Sequence, residues 1–335
     1  MGTLVHVLNA KRFFIAWFAF LVSFVTIIGC GGGGGGGNSV AIGPVPITYA
    51  GITSQAPITA ANAVDLATES LIGAQTGSVF SLGVGAEMPS NGLDEALFVY
   101  RFPAILHGVA ANIDFSEKSA VAALVTESDT IIGSCGGSVS YTLSVEDTTG
   151  VFSGSFVFTQ YCDGGIVISG PVAVDGSVSL ITSEIEVIHF NFNNVSSGDI
   201  TLSGDVATDQ TGMPVIITMD FRVRDNVTGK VFWVNDYSLS ITETSATEIE
   251  VDLTGTYYHH DFGYITIATP VTDPLVIDDT LSPWPKDGII IYEGEGNTSA
   301  LLTVIDQVSY RVVADTDGDG SRDNYDSGDL LWADL

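Results

Sequence analysis

The chain has 335 residues, with 40 acidic against 10 basic side chains and a formal net charge of −30. A field of that sign repels nucleic acid and anionic headgroups and draws in cations, which argues against nucleic-acid binding and otherwise serves solubility. Abundant glycine, serine, threonine and β-branched residues, broken by turn signals every ~8–12 residues, favour a mainly β body.

The first 29 residues have the layout of a secretory signal: Lys11 and Arg12, an apolar run over 13–28, then the small residue Gly29. The run is about 16 residues long, short of the ~20 a membrane span needs. Cys30 follows Ile27-Ile28-Gly29 and opens a run of glycines over 31–37. Ile-Ile-Gly-Cys resembles the lipobox of bacterial lipoproteins. The resemblance implies cleavage before Cys30, a diacylglycerol on its sulfur and an acyl chain on its new amino group, so membrane lipid is the expected partner. Three acyl chains hold firmly where one holds marginally. In enteric lipoproteins an aspartate at the next position retains the protein in the inner membrane; Gly31 implies the outer one. The alternative is an uncleaved anchor with an incidental cysteine. The glycine run favours the lipoprotein, because residues 31–46 as a flexible coil form a tether of ~20–25 Å.

The organisation expected is a signal over 1–29, a lipidated cysteine and tether over 30–46, a helical lead-in packed on the β body over 47–125, and an antiparallel β domain over 126–335. Residues 38–58, with Pro44, Pro46 and Pro57, read as extended. Thr59 suits a helix N-cap, its hydroxyl able to accept from an early free N–H. Ala60, Val64, Ala67 and Leu71 follow as one apolar stripe, and Gly73 supplies a stop, which predicts a helix over 60–72. A second amphipathic helix over 93–111 would be ended or kinked by Pro103.

From about Asp129 the period changes to two. Val215, Ile217, Met219, Phe221 and Val223 alternate with a largely polar set, and Val231, Trp233, Tyr237, Leu239 and Ile241 continue the pattern beyond a turn at 225–229. Pairing about position 227 sets Phe221 opposite Trp233 and Ile217 opposite Tyr237. Similar runs fall at 164–174, 177–192, 199–206, 247–257, 262–268, 288–293, 299–305 and 308–314. Short links force antiparallel neighbours, so the expectation is a meander of about a dozen strands, curled into a barrel or folded into a sandwich.

Val139, Tyr141, Leu143 and Val145 alternate on one strand, and Phe152, Phe156 and Phe158 on the next, with Asp147-Thr148-Thr149-Gly150 between them. Pairing about that turn puts Val145 opposite Phe152, Tyr141 opposite Phe156 and Cys135 opposite Cys162. With Cys30 taken by lipid, one even pair remains, and the oxidising periplasm favours a disulfide.

Near the C-terminus, counting from Asp315, oxygen-bearing side chains fall at positions one, three, five, seven, nine and twelve: Asp315, Asp317, Asp319, Ser321, Asp323 and Asp326. Glycine stands at six. That is EF-hand loop spacing, with aspartate in place of the final glutamate, and predicts one structural calcium ion. It resembles the calcium loops of dockerins and other secreted bacterial proteins. Tyr310, Val312 and Ala314 lead in with strand alternation, so the loop is expected to close a terminal hairpin; the plain alternative is an acidic solvated turn.

The glycine tether, Ile-Thr-Ala-Ala-Asn at 58–62, the Ser-Cys-Gly-Gly to Tyr-Cys-Asp-Gly hairpin and the Asp-Thr-Asp-Gly-Asp-Gly end together look like a group of uncharacterised secreted lipoproteins of Gram-negative bacteria. That resemblance implies no activity. No nucleophile elbow, zinc-protease motif or phosphate loop occurs. His259-His260-Asp261 offers metal-ligand types, but neighbours on a strand point to opposite faces, and turn or surface histidines are the simpler reading. Trp233, Tyr237, Tyr257, Tyr258, Trp284, Tyr292 and Trp332 could form a sugar platform or fill the core. The leading function is a lipid-anchored envelope protein with a structural or binding role. The alternatives are a carbohydrate- or small-ligand-binding module and a secreted hydrolase with an unrecognised carboxylate site.

Overall fold

A computed structural model describes residues 46–82, 124–146, 148–163, 165–181, 185–245, 247–278 and 284–335. The segments expected as signal and tether, with Cys30, up to residue 45, and the helix expected over 93–111, lie outside the described residues.

Period-two runs become strands: β1 (Leu124–Ile132), β2 (Gly136–Glu146), β3 (Val151–Asp163), β4 (Ile166–Val178), β5 (Ile185–Ser197), β6 (Ile200–Asp209), β7 (Val215–Asp225) and β8 (Val231–Glu243). They continue through β9 (Glu248–His259), β10 (Gly263–Ala268), β11 (Leu275–Asp278), β12 (Ile289–Glu293), β13 (Ser299–Val304), β14 (Ser309–Asp315) and β15 (Tyr325–Leu331). All fifteen belong to one antiparallel sheet whose order follows the chain, except that β11 pairs with the start of β9 and β12 follows β10. The sheet is not closed into a barrel: β1 and β15 are its two ends. The meander expected from the short links is therefore present as one continuous open sheet.

Curvature comes from bulges. Gln160, Asn194 and Asp236 each take a left-handed backbone conformation at a register shift, in β3, β5 and β8. The Gln160 N–H donates to Ser169 Oγ at 3.2 Å and the Asn194 N–H to Ser203 Oγ at 3.0 Å, so the serine of the next strand satisfies the amide that each bulge frees from the ladder. An extra residue in one strand of a pair bends that strand and raises the local twist.

The bend has a helix inside it. Helix α1 (Ala63–Leu82) touches β6 to β9 as well as β13 and β14. Ala63, Leu66, Ala67, Leu71 and Ala74 join the core of the sheet, and Thr68 and Ser70 are buried too. A helix covered on most of its circumference is a core helix rather than a surface one. Three tyrosines hold it. Tyr237 donates to the Ser70 carbonyl at 3.2 Å, Tyr292 to the Ala67 carbonyl at 3.0 Å and Tyr257 to Glu69 Oε2 at 3.0 Å.

Three expectations for this helix are corrected. Thr59 stands at its start, but its hydroxyl does not accept from the helix; with its own N–H it donates to Asn62 Oδ1, at 3.0 and 2.8 Å. Its carbonyl accepts the N–H groups of Asn62 and Ala63. The stripe is also rotated: Ala67 and Leu71 are buried, Val64 only partly, and Ala60 is exposed. Gly73 does not stop the helix, which runs on to Leu82. A Cβ there would lie 2.8 Å from Val234 Cγ2, so this glycine lets helix and sheet approach closely.

The expected β7–β8 register is corrected as well. Asp225 and Lys230 close the turn, leaving four residues between them, so the pairs are Phe221 with Val234 and Arg222 with Trp233. A one-residue change of register sends a side chain to the other face, and Trp233 points outward. The β2–β3 hairpin keeps its expected register, with Val145 opposite Phe152 and Tyr141 opposite Phe156. At its open end a shift between Gly136 and Ser138 puts Gly136 opposite Cys162. Cys135 still forms the disulfide with Cys162, with the Cα atoms 5.1 Å apart.

Candidate functional site

The C-terminal loop joins β14 to β15 as a hairpin. Asp315 is fully buried, and its carboxylate accepts the N–H groups of Gly318 and Gly320, both at 2.7 Å. Burial would raise its pKa, but those two N–H groups, together with a side-chain and a backbone hydrogen bond from Asp317, outweigh it and hold the carboxyl below its usual range. Carboxylate oxygens of Asp315, Asp317 and Asp319 converge to within 4.8 Å of one another, a group able to hold a metal ion. Ser321 is exposed and its N–H donates to Asp319 Oδ1 at 2.7 Å. Asp323 is exposed and stands outside the converging group. Asp326 is engaged elsewhere: Arg311 across the hairpin grips it through two nitrogens and pushes its pKa down to about 2. Asn324, not singled out from the sequence, ties the loop instead, donating to Asp317 Oδ2 at 3.2 Å and accepting from the Thr316 N–H at 3.2 Å. The hairpin is anchored by Trp332, stacked between Tyr310 and Trp284 at 4.3 and 4.9 Å.

Of the seven aromatics considered for a sugar platform, Tyr237, Tyr257, Trp284, Tyr292 and Trp332 are core. Trp233 and Tyr258 lie on the outer face, in a row of directly opposed residues across four strands: Arg222, Trp233, Tyr258 and Tyr264. The Arg222 guanidinium lies 4.4 Å from the Trp233 ring on one side, and Tyr258 stacks at 4.5 Å on the other. Tyr49 fits against both rings, and Trp233 Nε1 donates to Asp220 at 2.7 Å. The faces a sugar would stack on are thus covered by neighbours, and the row offers edges and hydroxyls.

A third group surrounds Glu69 at one side of the buried helix. Its Oε2 accepts from Tyr257 and lies 3.4 Å from His259 Nε2. His259 Nδ1 accepts the Asp261 N–H at 3.0 Å, which leaves the ring proton on Nε2, facing Glu69. The ring is buried and stacked on Phe262 at 4.2 Å. Burial pushes the Glu69 carboxyl up to about 7 and holds His259 below its usual value. The reading of His259 as a surface or turn residue is corrected on this point. His260 is the first residue of the turn after β9, and its Nδ1 accepts the Val231 N–H at 3.3 Å. On the outer face His189 bridges Asp175 and Asp205 at 3.1 and 3.0 Å. Glu69 carried no signal in the sequence, because its setting is made by strands almost 190 residues away.

No protein-family model matches the chain, and neither a curated protein nor a solved structure matches it.

Proposed function

We propose that this is a lipid-anchored protein of the cell envelope, held in the outer membrane through acylated Cys30, whose sheet serves a structural or binding role there. The observation that carries this reading is the disulfide. Cys135 and Cys162 are bonded to each other, so of three cysteines Cys30 alone remains, and it is the one preceded by Ile-Ile-Gly. A bond of this kind persists in an oxidising compartment, which fits an exported chain. Cys30→Ala expressed from the full-length gene is expected to lose incorporation of labelled fatty acid and to leave the membrane fraction or stay uncleaved. Equal labelling of wild type and variant would sink the proposal.

The same reading includes one structural calcium ion at the C-terminal hairpin. Asp315, Asp317 and Asp319 supply the converging carboxylates. Ser321 and Asp323 stand at the following loop positions, and Asp326 at the twelfth would have to leave Arg311 to join them. Loops of this spacing in extracellular modules bind at about 10⁻⁴–10⁻³ M.

A further inference from the structure

The outward row Arg222, Trp233, Tyr258 and Tyr264 lies where the chain enters the sheet. The entering segment is fixed there by backbone bonds. The Ile52 N–H donates to the His260 carbonyl at 3.2 Å, the Tyr264 N–H to the Ser54 carbonyl at 3.0 Å and the Ala56 N–H to the Tyr264 carbonyl at 2.8 Å. Tyr49 packs on Trp233 and Tyr258, and its hydroxyl donates to the Ile52 and His259 carbonyls at 2.9 and 3.0 Å. Ile52 beside it is 44 % exposed. Charge is also distinctive here. The chain has 40 acidic against 10 basic side chains, yet residues 220–236 hold Arg222, Arg224 and Lys230 against Asp220, Asp225 and Asp236. Arg222 lies 3.8 Å from Asp220, and Lys230 is paired with Asp261 beyond that stretch. Charges farther off than about 8 Å are largely screened, so at contact this face is close to neutral on a strongly acidic molecule.

We propose that this face rests on the membrane: Trp233, Tyr258, Tyr264, Tyr49 and Ile52, with Arg222 beside them, dock into the headgroup layer of a zwitterionic phospholipid surface. The inference rests on the lipid anchor at Cys30. Tryptophan and tyrosine are the side chains that settle at a membrane–water interface, where the ring meets apolar surroundings and the polar tip stays wet. The tether over 31–46 ends three residues before Tyr49. At ~20–25 Å it holds the row close to the lipid that carries the anchor. A shallow contact of a few side chains is weak by itself. On a short tether it becomes intramolecular, at an effective concentration in the millimolar range, so a contact with a Kd of about 1 mM is already half-formed. Anionic lipid would repel the rest of the chain, which leaves zwitterionic phospholipid as the surface this neutral face fits.

The chain carries its own probe. Of four tryptophans, Trp17 belongs to the signal that cleavage removes, and Trp284 and Trp332 are buried, which leaves Trp233 facing outward. The experiment is tryptophan emission of the protein expressed from the full-length gene and reconstituted into phosphatidylcholine vesicles, with and without bromine on the acyl chains. Bromine quenches only on close approach, and flotation of the vesicles reads the anchor separately. Wild type is expected to float and to lose about a third of its emission to brominated lipid, the share of one tryptophan among the three that remain. Trp233→Phe should abolish the loss, which assigns it. Ile52→Glu, at an exposed position, and Ile52→Glu with Tyr264→Glu should float like wild type yet keep their emission; the blue-shifted emission of Trp284 and Trp332 checks that each is folded. Wild type that floats with Trp233 unquenched overturns the docking and leaves the anchor standing. Wild type that does not float overturns both. Quenching equal in wild type and the glutamate variants, or seen only when phosphatidylglycerol is added, also overturns the docking. So does a change in Trp233 emission that follows protein concentration rather than bromine, which would assign the face to a second copy of the chain.

Discussion

Asp326 sits at the twelfth position of its loop, yet its carboxylate lies against Arg311. The two roles compete, and the competition gives a test at single residues. Calcium at millimolar levels is expected to raise the melting temperature of wild type, and Asp317→Asn with Asp319→Asn should abolish the rise. Arg311→Gln frees Asp326 and should tighten binding several-fold, by about 1 kcal/mol if one more carboxylate joins the ion. A calorimetric titration with no heat in wild type would end the calcium reading. Loop spacing was legible because one short stretch of chain carries it. The Arg311 contact was not, because it is set by which residue the opposite strand delivers. Gly73 teaches the same lesson: the sequence pattern reads as a stop, and only the distance to Val234 explains a glycine in mid-helix.

Two hairpins separate what can be read at the level of elements. For β2–β3, the aromatic and β-branched alternation and the turn at 147–150 agree, and the register follows along most of its length. For β7–β8 the turn holds four residues, 226–229, one fewer than the five over 225–229 read from the sequence, and a bulge at Asp236 shifts the pairing again. Val231, Val234 and Tyr237 are buried in place of a strict alternation through Trp233. The disulfide at the open end of β2–β3 closes a loop with a sequence separation of 27. Replacing both cysteines, Cys135→Ser with Cys162→Ser, is expected to cost about 3–4 kcal/mol in the chain-entropy model, less whatever order the hairpin keeps when unfolded. Denaturant unfolding of the double variant checks it, and a midpoint equal to wild type would contradict it.

At the scale of the molecule, the sheet was legible as a class, antiparallel and mainly β, because short links leave neighbours no other choice. Its open, helix-filled form was not, because curvature depends on bulges that alternation does not reveal. The strands stand in the order in which they are synthesised, so nearly every strand finds its partner in the segment just before or after it. Contacts of that local kind form fast. Helix α1 is the exception. Its tyrosine partners come 167 to 225 residues later in the chain. In refolding followed by pulsed hydrogen exchange, strands β2 to β6 are expected to gain protection before residues 63–74, and simultaneous protection would contradict that order. The first regular element of the described chain to be made is then the last to be seated, and until Tyr292 arrives the growing sheet carries an apolar hollow with its occupant still outside.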